Sequence, residues 1–179
     1  GTQTIRAPSV NNFTLTNSGT IQATDTIAIN STGNTVTINN SGTIKATNNY
    51  AIKGYGDTLN LTNSGTIQAV TWGLHATGAS AIVSNSGKIY GTTKRAIVVN
   101  GNDHKITNQS EGLIRVGTSD STLAGHKLAV EAGSSGNRLT LDNYGKISAA
   151  ANTIKTQATG MNITNYSGGT IAATSDSSK

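Results

Sequence analysis

The chain has 179 residues, no cysteine, one proline and a formal net charge of +5, and only 12% of its residues are charged. That length suits one domain or one stretch of a repeat array. The low charge content excludes the composition of a charged disordered segment, and the lack of cysteine excludes disulfides, thiol chemistry and cysteine-type zinc sites. Thr, Ser, Asn and Gly dominate beside Ile, Ala, Leu and Val, a mixture that favours strands and turns over helices. No apolar run approaches the roughly 20 residues that cross a bilayer.

Residues 1–12 read as an N-terminal edge. From residue 13 to 179 the chain reads as a single repetitive domain, with a loop insertion near 117–127. "LTNSGTIQA" occurs at Leu15–Ala23 and again at Leu61–Ala69, with "INNSGTIKA" at Ile38–Ala46 and "VSNSGKIYG" at Val83–Gly91. Aligned on one asparagine, the copies fall at Asn17, Asn40, Asn63, Asn85, Asn108, Asn143 and Asn165, at intervals of 23, 23, 22, 23, 35 and 22 residues.

Each unit predicts three short strands. The first carries apolar residues two positions before the asparagine (Leu15, Ile38, Leu61, Val83, Ile106, Leu141, Ile163), with mostly polar residues between. That period-two alternation marks a strand with one buried face, and the asparagine is in phase with it. The second strand carries Ile21, Ile44, Ile67, Ile89, Ile114, Ile147 and Ile171, each followed two residues on by Ala, Gly or Val. The third is marked by Ala28-Ile29, Ala51-Ile52, Gly73-Leu74, Ala96-Ile97, Ala129-Val130 and Thr153-Ile154. Gly33, Gly56, Gly78, Gly101 and Gly136 close most of these units, where glycine is expected to supply backbone angles other residues avoid.

Three strands per unit of about 23 residues make one coil of a parallel β-helix. A lone coil cannot bury its inward face, so seven stack at about 4.8 Å each into a rod on the order of 30 Å long. The crossover rule favours a right-handed solenoid. Stacking sets like on like, and the seven asparagines are expected to form a structural ladder in which each amide bonds its neighbour and a turn carbonyl.

The repeated "NSGTI.A" followed by "AI" resembles the β-helical passenger regions of bacterial autotransporter adhesins, with the repeat of haemagglutinin-like two-partner-secretion exoproteins as second choice. The resemblance covers Phe13 to Ala173. It implies a Gram-negative cell-surface or secreted location and a fragment of a longer protein. Membrane contact would come only through an export barrel that this sequence does not contain. It further implies an adhesin, aggregation factor or stalk.

Chemistry is sparse. The eight acidic residues form no convincing catalytic pair, the three histidines share no metal-ligand spacing, and no GxSxG or HExxH occurs. His104 falls in an inward column, as a neutral interior residue. No enzyme activity, cofactor or metal is expected. Two features rise above the scaffold as candidate ligand-binding residues. Tyr50, Trp72 and Arg95 stand two residues before successive third-strand markers and would stack coil on coil, able to hold a sugar ring by stacking and cation–π contact. Lys45, Lys88, Arg115 and Lys146 lie on or near the second strand as a basic face for anionic polymers.

The expected function is a non-enzymatic adhesin or self-association segment whose partner is host glycan, extracellular matrix or another copy of itself, with no specific nucleic acid. Weak contacts along a rod add up. The alternatives are a passive stalk or a polysaccharide-degrading β-helix enzyme. Ice binding is set aside because outward Thr14, Thr37, Asn60, Ile82 and Lys105 are too irregular.

Overall fold

A computed structural model describes residues 4–117, 128–133, 138–150 and 152–173. Most of the insertion near 117–127 lies outside the described residues, as does Gly136. The described residues form strands and turns with no helix.

The coils follow one another along the chain. The first holds β1 (Ile5–Ala7), β2 (Asn12–Asn17) and β3 (Thr20–Ala23). The second holds β4 (Ile29–Ser31), β5 (Thr35–Asn40) and β6 (Thr43–Ala46). The third holds β7 (Tyr50–Gly54), β8 (Thr58–Asn63) and β9 (Thr66–Ala69). The fourth holds β10 (Trp72–Ala76), β11 (Ser80–Asn85) and β12 (Lys88–Gly91). The fifth holds β13 (Arg95–Val99), β14 (Asp103–Asn108) and β15 (Leu113–Val116). The sixth holds β16 (Leu128–Ala132), β17 (Arg138–Asn143) and β18 (Lys146–Ala149). The seventh holds β19 (Ile154–Thr156), β20 (Gly160–Asn165) and β21 (Thr170–Ala173).

Every third strand joins the same sheet, giving three seven-stranded sheets. Sheet I runs from β1 to β19, sheet II from β2 to β20 and sheet III from β3 to β21, and all pairing is parallel. The fold is a parallel β-solenoid of seven three-stranded coils. β1 lies in the segment read from sequence as an edge; Ile5 pairs with Ile29 and Ala7 with Ser31, so Thr4–Ala7 is a shortened copy of the third-strand pattern.

Register follows the repeat. Phe13, Val36, Leu59, Ala81, His104, Leu139 and Met161 pair in series. So do the seven isoleucines from Ile21 to Ile171. Inward Ile, Leu, Val and Ala from all three walls form one core running along the axis. A one-residue slip would turn every apolar side chain to solvent, so the alternation fixes the register.

Buried among them is the asparagine ladder. Nδ2 of Asn17 donates to Oδ1 of Asn40 at 2.8 Å, and the series continues through Asn63, Asn85, Asn108 and Asn143 to Asn165 at 2.7–2.9 Å. The same nitrogen donates to the turn carbonyl that follows, as from Asn63 to Gly65 at 3.2 Å. The Asn63 carbonyl accepts from Ser86 N and Gly87 N of the next coil, at 2.8 and 3.1 Å. These bonds satisfy side chains that are fully buried at Asn63, Asn85, Asn108 and Asn143, where an orphaned group costs about 1–3 kcal/mol.

Most of the corner glycines answer to stacking between coils. At Gly56, Gly78 and Gly101 a Cβ would collide with the carbonyl oxygen of the glycine one coil earlier, and at Gly42, Gly65 and Gly87 the same holds in the column after the asparagine. Of the corner glycines named from sequence, Gly101 has a positive φ, of 155°. Backbone therefore sits directly on backbone at two corners, and the expectation of unusual angles holds at Gly101 but gives way to close approach at Gly33, Gly56 and Gly78.

Two outcomes follow. Asn63→Leu removes the acceptor of Asn40 and the donor to Asn85 and Gly65, so thermal unfolding followed by circular dichroism should show a loss of about 2–4 kcal/mol. Gly65→Ala should lower the melting temperature clearly, whereas Gly19→Ala, with open space around its Cβ, should stay within about 0.5 kcal/mol of wild type.

Candidate ligand-binding face

The outward positions of sheet I bring the aromatic column together. Tyr50 pairs with Trp72 and Trp72 with Arg95, one coil apart each time, on β7, β10 and β13. The neighbouring outward column runs through Lys53, His75, Val98, Glu131 and Lys155. The two columns interleave into one half-buried patch.

Its geometry is specific. Ring centroids of Tyr50 and Trp72 lie 4.5 Å apart and tilted, Trp72 and His75 5.0 Å apart and tilted, and Tyr50 and His75 5.4 Å apart and nearly parallel. Lys53 Nζ sits 4.9 Å from the Tyr50 centroid and 4.6 Å from that of Tyr55. Lys94 Nζ lies 5.7 Å and the Arg95 guanidinium 6.0 Å from the Trp72 ring. Arg95 also pairs with Glu131, whose other oxygen lies 3.8 Å from Lys155 Nζ. Trp72 Nε1 is buried and has no hydrogen-bond partner among the described residues.

The electrostatics follow from burial beside cations. His75 is pushed down to about 4, first by desolvation and then by the charges of Lys53 and Arg95, so the ring is neutral at pH 7. Asn100 Nδ2 lies 3.3 Å from His75 Nε2. Burial raises the Tyr50 hydroxyl above the ordinary tyrosine range, although Lys53 pulls the other way. Chemically, the patch offers aromatic surface, ammonium and guanidinium donors and one fixed carboxylate, a set suited to holding a polar ring or an anionic group by contact.

The basic candidates lie on sheet III. Lys45 occupies an outward column with Gln68, Tyr90, Arg115 and Ser148, three coils from Arg115. Arg115 is half-buried, with its guanidinium 5.3 Å from the Tyr90 centroid. Lys88 and Lys146 share a different outward column and are separated by Leu113. The seven candidate residues thus fall on two sheets, and the four basic ones are spread along theirs rather than gathered at one point.

Sequence reasoning missed Lys53, His75 and Glu131 as neighbours of the aromatic column. The signal was available, because the residue after each third-strand marker forms its own column in the same alignment.

Comparison with known proteins matched no protein-family model, no curated protein and no solved structure. The class rests on the fold, a three-sided parallel β-solenoid.

The folded His75 pKa lies below its ordinary value of 6.5. Between about pH 6.5 and 4 the unfolded chain therefore binds more protons, and stability falls as pH falls through this window. His104 is shifted down too, by burial. Urea unfolding at pH 7 and pH 4.5 should show a lower midpoint at pH 4.5, and His75→Gln should shrink that difference while leaving the His104 share.

Proposed function

We propose that this chain is a rod segment of a secreted or cell-surface bacterial protein of the autotransporter passenger kind. It acts without catalysis as an adhesin or self-association element, and the outer face of sheet I holds a unit of host glycan, matrix polymer or a like molecule. The observation that carries this reading is the registered patch of Tyr50, Trp72, Arg95, Lys53 and His75 on one side of the rod. A regular scaffold spaces successive side chains by about 4.8 Å along the axis, so an extended polymer lying along the sheet meets ring after cation. The repeat's resemblance to passenger regions supports the Gram-negative surface location.

A second reading, a passive stalk, draws on the same patch. Lys53 already lies over Tyr50 and Tyr55, and Lys94 and Arg95 lie over Trp72, so the rings are partly occupied by their own cations.

A glycan and matrix array run beside a cell-clumping assay separates the two. The adhesin should bind at least one ligand class, and Trp72→Ala should weaken that binding by about tenfold, or 1.4 kcal/mol. No binding by the intact chain would favour the stalk, and binding untouched by Trp72→Ala would remove sheet I from the interface.

A further inference from the structure

The outer face of sheet II changes character along the rod. In the second and third coils its three outward columns hold only Thr and Asn: Thr35, Thr37 and Asn39, then Thr58, Asn60 and Thr62. In the fourth to sixth coils the same positions become Ser80, Ile82 and Ser84, then Asp103, Lys105 and Thr107, then Arg138, Thr140 and Asp142. A cavity of about 280 Å³ opens here, lined by Ser80, Ile82, Asp103, Lys105, Arg138 and Thr140 with His104 beneath.

The side chains at its rim are held. Arg138 grips Asp103 with two bonds, Nε to Oδ1 at 2.6 Å and a terminal nitrogen to Oδ2 at 2.9 Å. The next residue in that column is Gly160, where a Cβ would come within 3.3 Å of the Arg138 stem. Lys105 Nζ stands 4.0 Å from Asp142. Exposed pairs of this kind contribute little net stability, so the fold does not require them. Ile82 is 47% exposed, at a position where Thr37 and Asn60 show polar residues suffice. Below, the Ala81 amide donates to His104 Nδ1 at 3.1 Å, which places the ring proton on Nε2, and the ring is 3% exposed.

We infer that this cavity is a binding site for one neutral pyranose unit of a glycan. Its size, just under the ~300–1,000 Å³ of drug-sized sites, fits a single ring. Ile82 meets the C–H face of the sugar. The fixed carboxylate of Asp103 accepts from ring hydroxyls, while Arg138, Lys105, Ser80 and Thr140 donate to them. Each cation is matched by a carboxylate, Arg138 by Asp103 and Lys105 by Asp142, so the site has no net charge to select an anion. The assignment extends the glycan reading to a second face, and the two are separable because they share no residue.

The test is methyl-labelled NMR of the full chain titrated with methyl glucoside, methyl galactoside and methyl mannoside, with glucuronate and inorganic sulfate as anionic probes. At least one neutral glycoside should shift the Ile82 δ1 methyl at millimolar concentration. Arg138→Gln should weaken that binding by about tenfold or more, and so should Ile82→Asn, followed at the Thr140 methyl of the same lining, while Trp72→Ala leaves it unchanged. Asn already occupies this column at Asn60, so the Ile82 variant keeps the coil, and circular dichroism checks that it does. The site is overturned if no neutral glycoside moves Ile82, if only glucuronate or sulfate does, or if Arg138→Gln binds as well as wild type.

Discussion

Each coil must accept the coil before it and template the coil after it, and this superposition governs the rest of the molecule. Parallel pairing places residue i of one coil over its equivalent in the next, so an inward group mostly meets a group of its own kind, with His104 between Ala81 and Leu139 as an exception. For isoleucine that yields continuous apolar packing. For asparagine it yields a chain of amides in which each acts as donor to one neighbour and acceptor to the other. An amide carries both functions at matched length, which hydroxyls and carboxylates do not do in the same geometry. The ladder therefore lets a polar column stay buried without orphaned groups.

The same constraint explains the glycines and the small residues. Where the chain turns between sheets, successive coils bring backbone against backbone, and a carbonyl oxygen occupies the space a Cβ would need. Ala28, Ala51, Ala96 and Ala129 are fully buried where sheets III and I meet. What looks in the sequence like turn chemistry is a limit on coil spacing.

Outward columns escape this control. A side chain there needs only to suit a strand and solvent, so the three faces diverge while the core repeats. Sheet I gathers rings and cations in its middle coils, sheet II turns from Thr and Asn to charged pairs and a cavity, and sheet III scatters its basic residues. Near the C-terminal end, the position after the ladder asparagine holds Tyr144 and Tyr166, stacked 4.1 Å apart, where the first four coils hold serine and the fifth holds Gln109. A regular interior with independent faces is a scaffold on which binding surfaces form without altering the fold.

The sequence by itself determined the solenoid, its register and its buried ladder, because those features repeat and stacking makes any repeat visible as a column. It also placed Tyr50, Trp72 and Arg95 in line. The tertiary structure alone decided what happens between columns and between sheets. It set His75 and Lys53 against the aromatic rings, Glu131 against Arg95, and Asp103 under the Arg138 guanidinium across a 35-residue interval. The alignment sets these residues in columns, but whether neighbours touch depends on side-chain reach and burial, which periodicity does not report. The reason glycine fills the corners was likewise hidden, since a steric collision with another coil leaves the same letter in the chain as a need for unusual backbone angles.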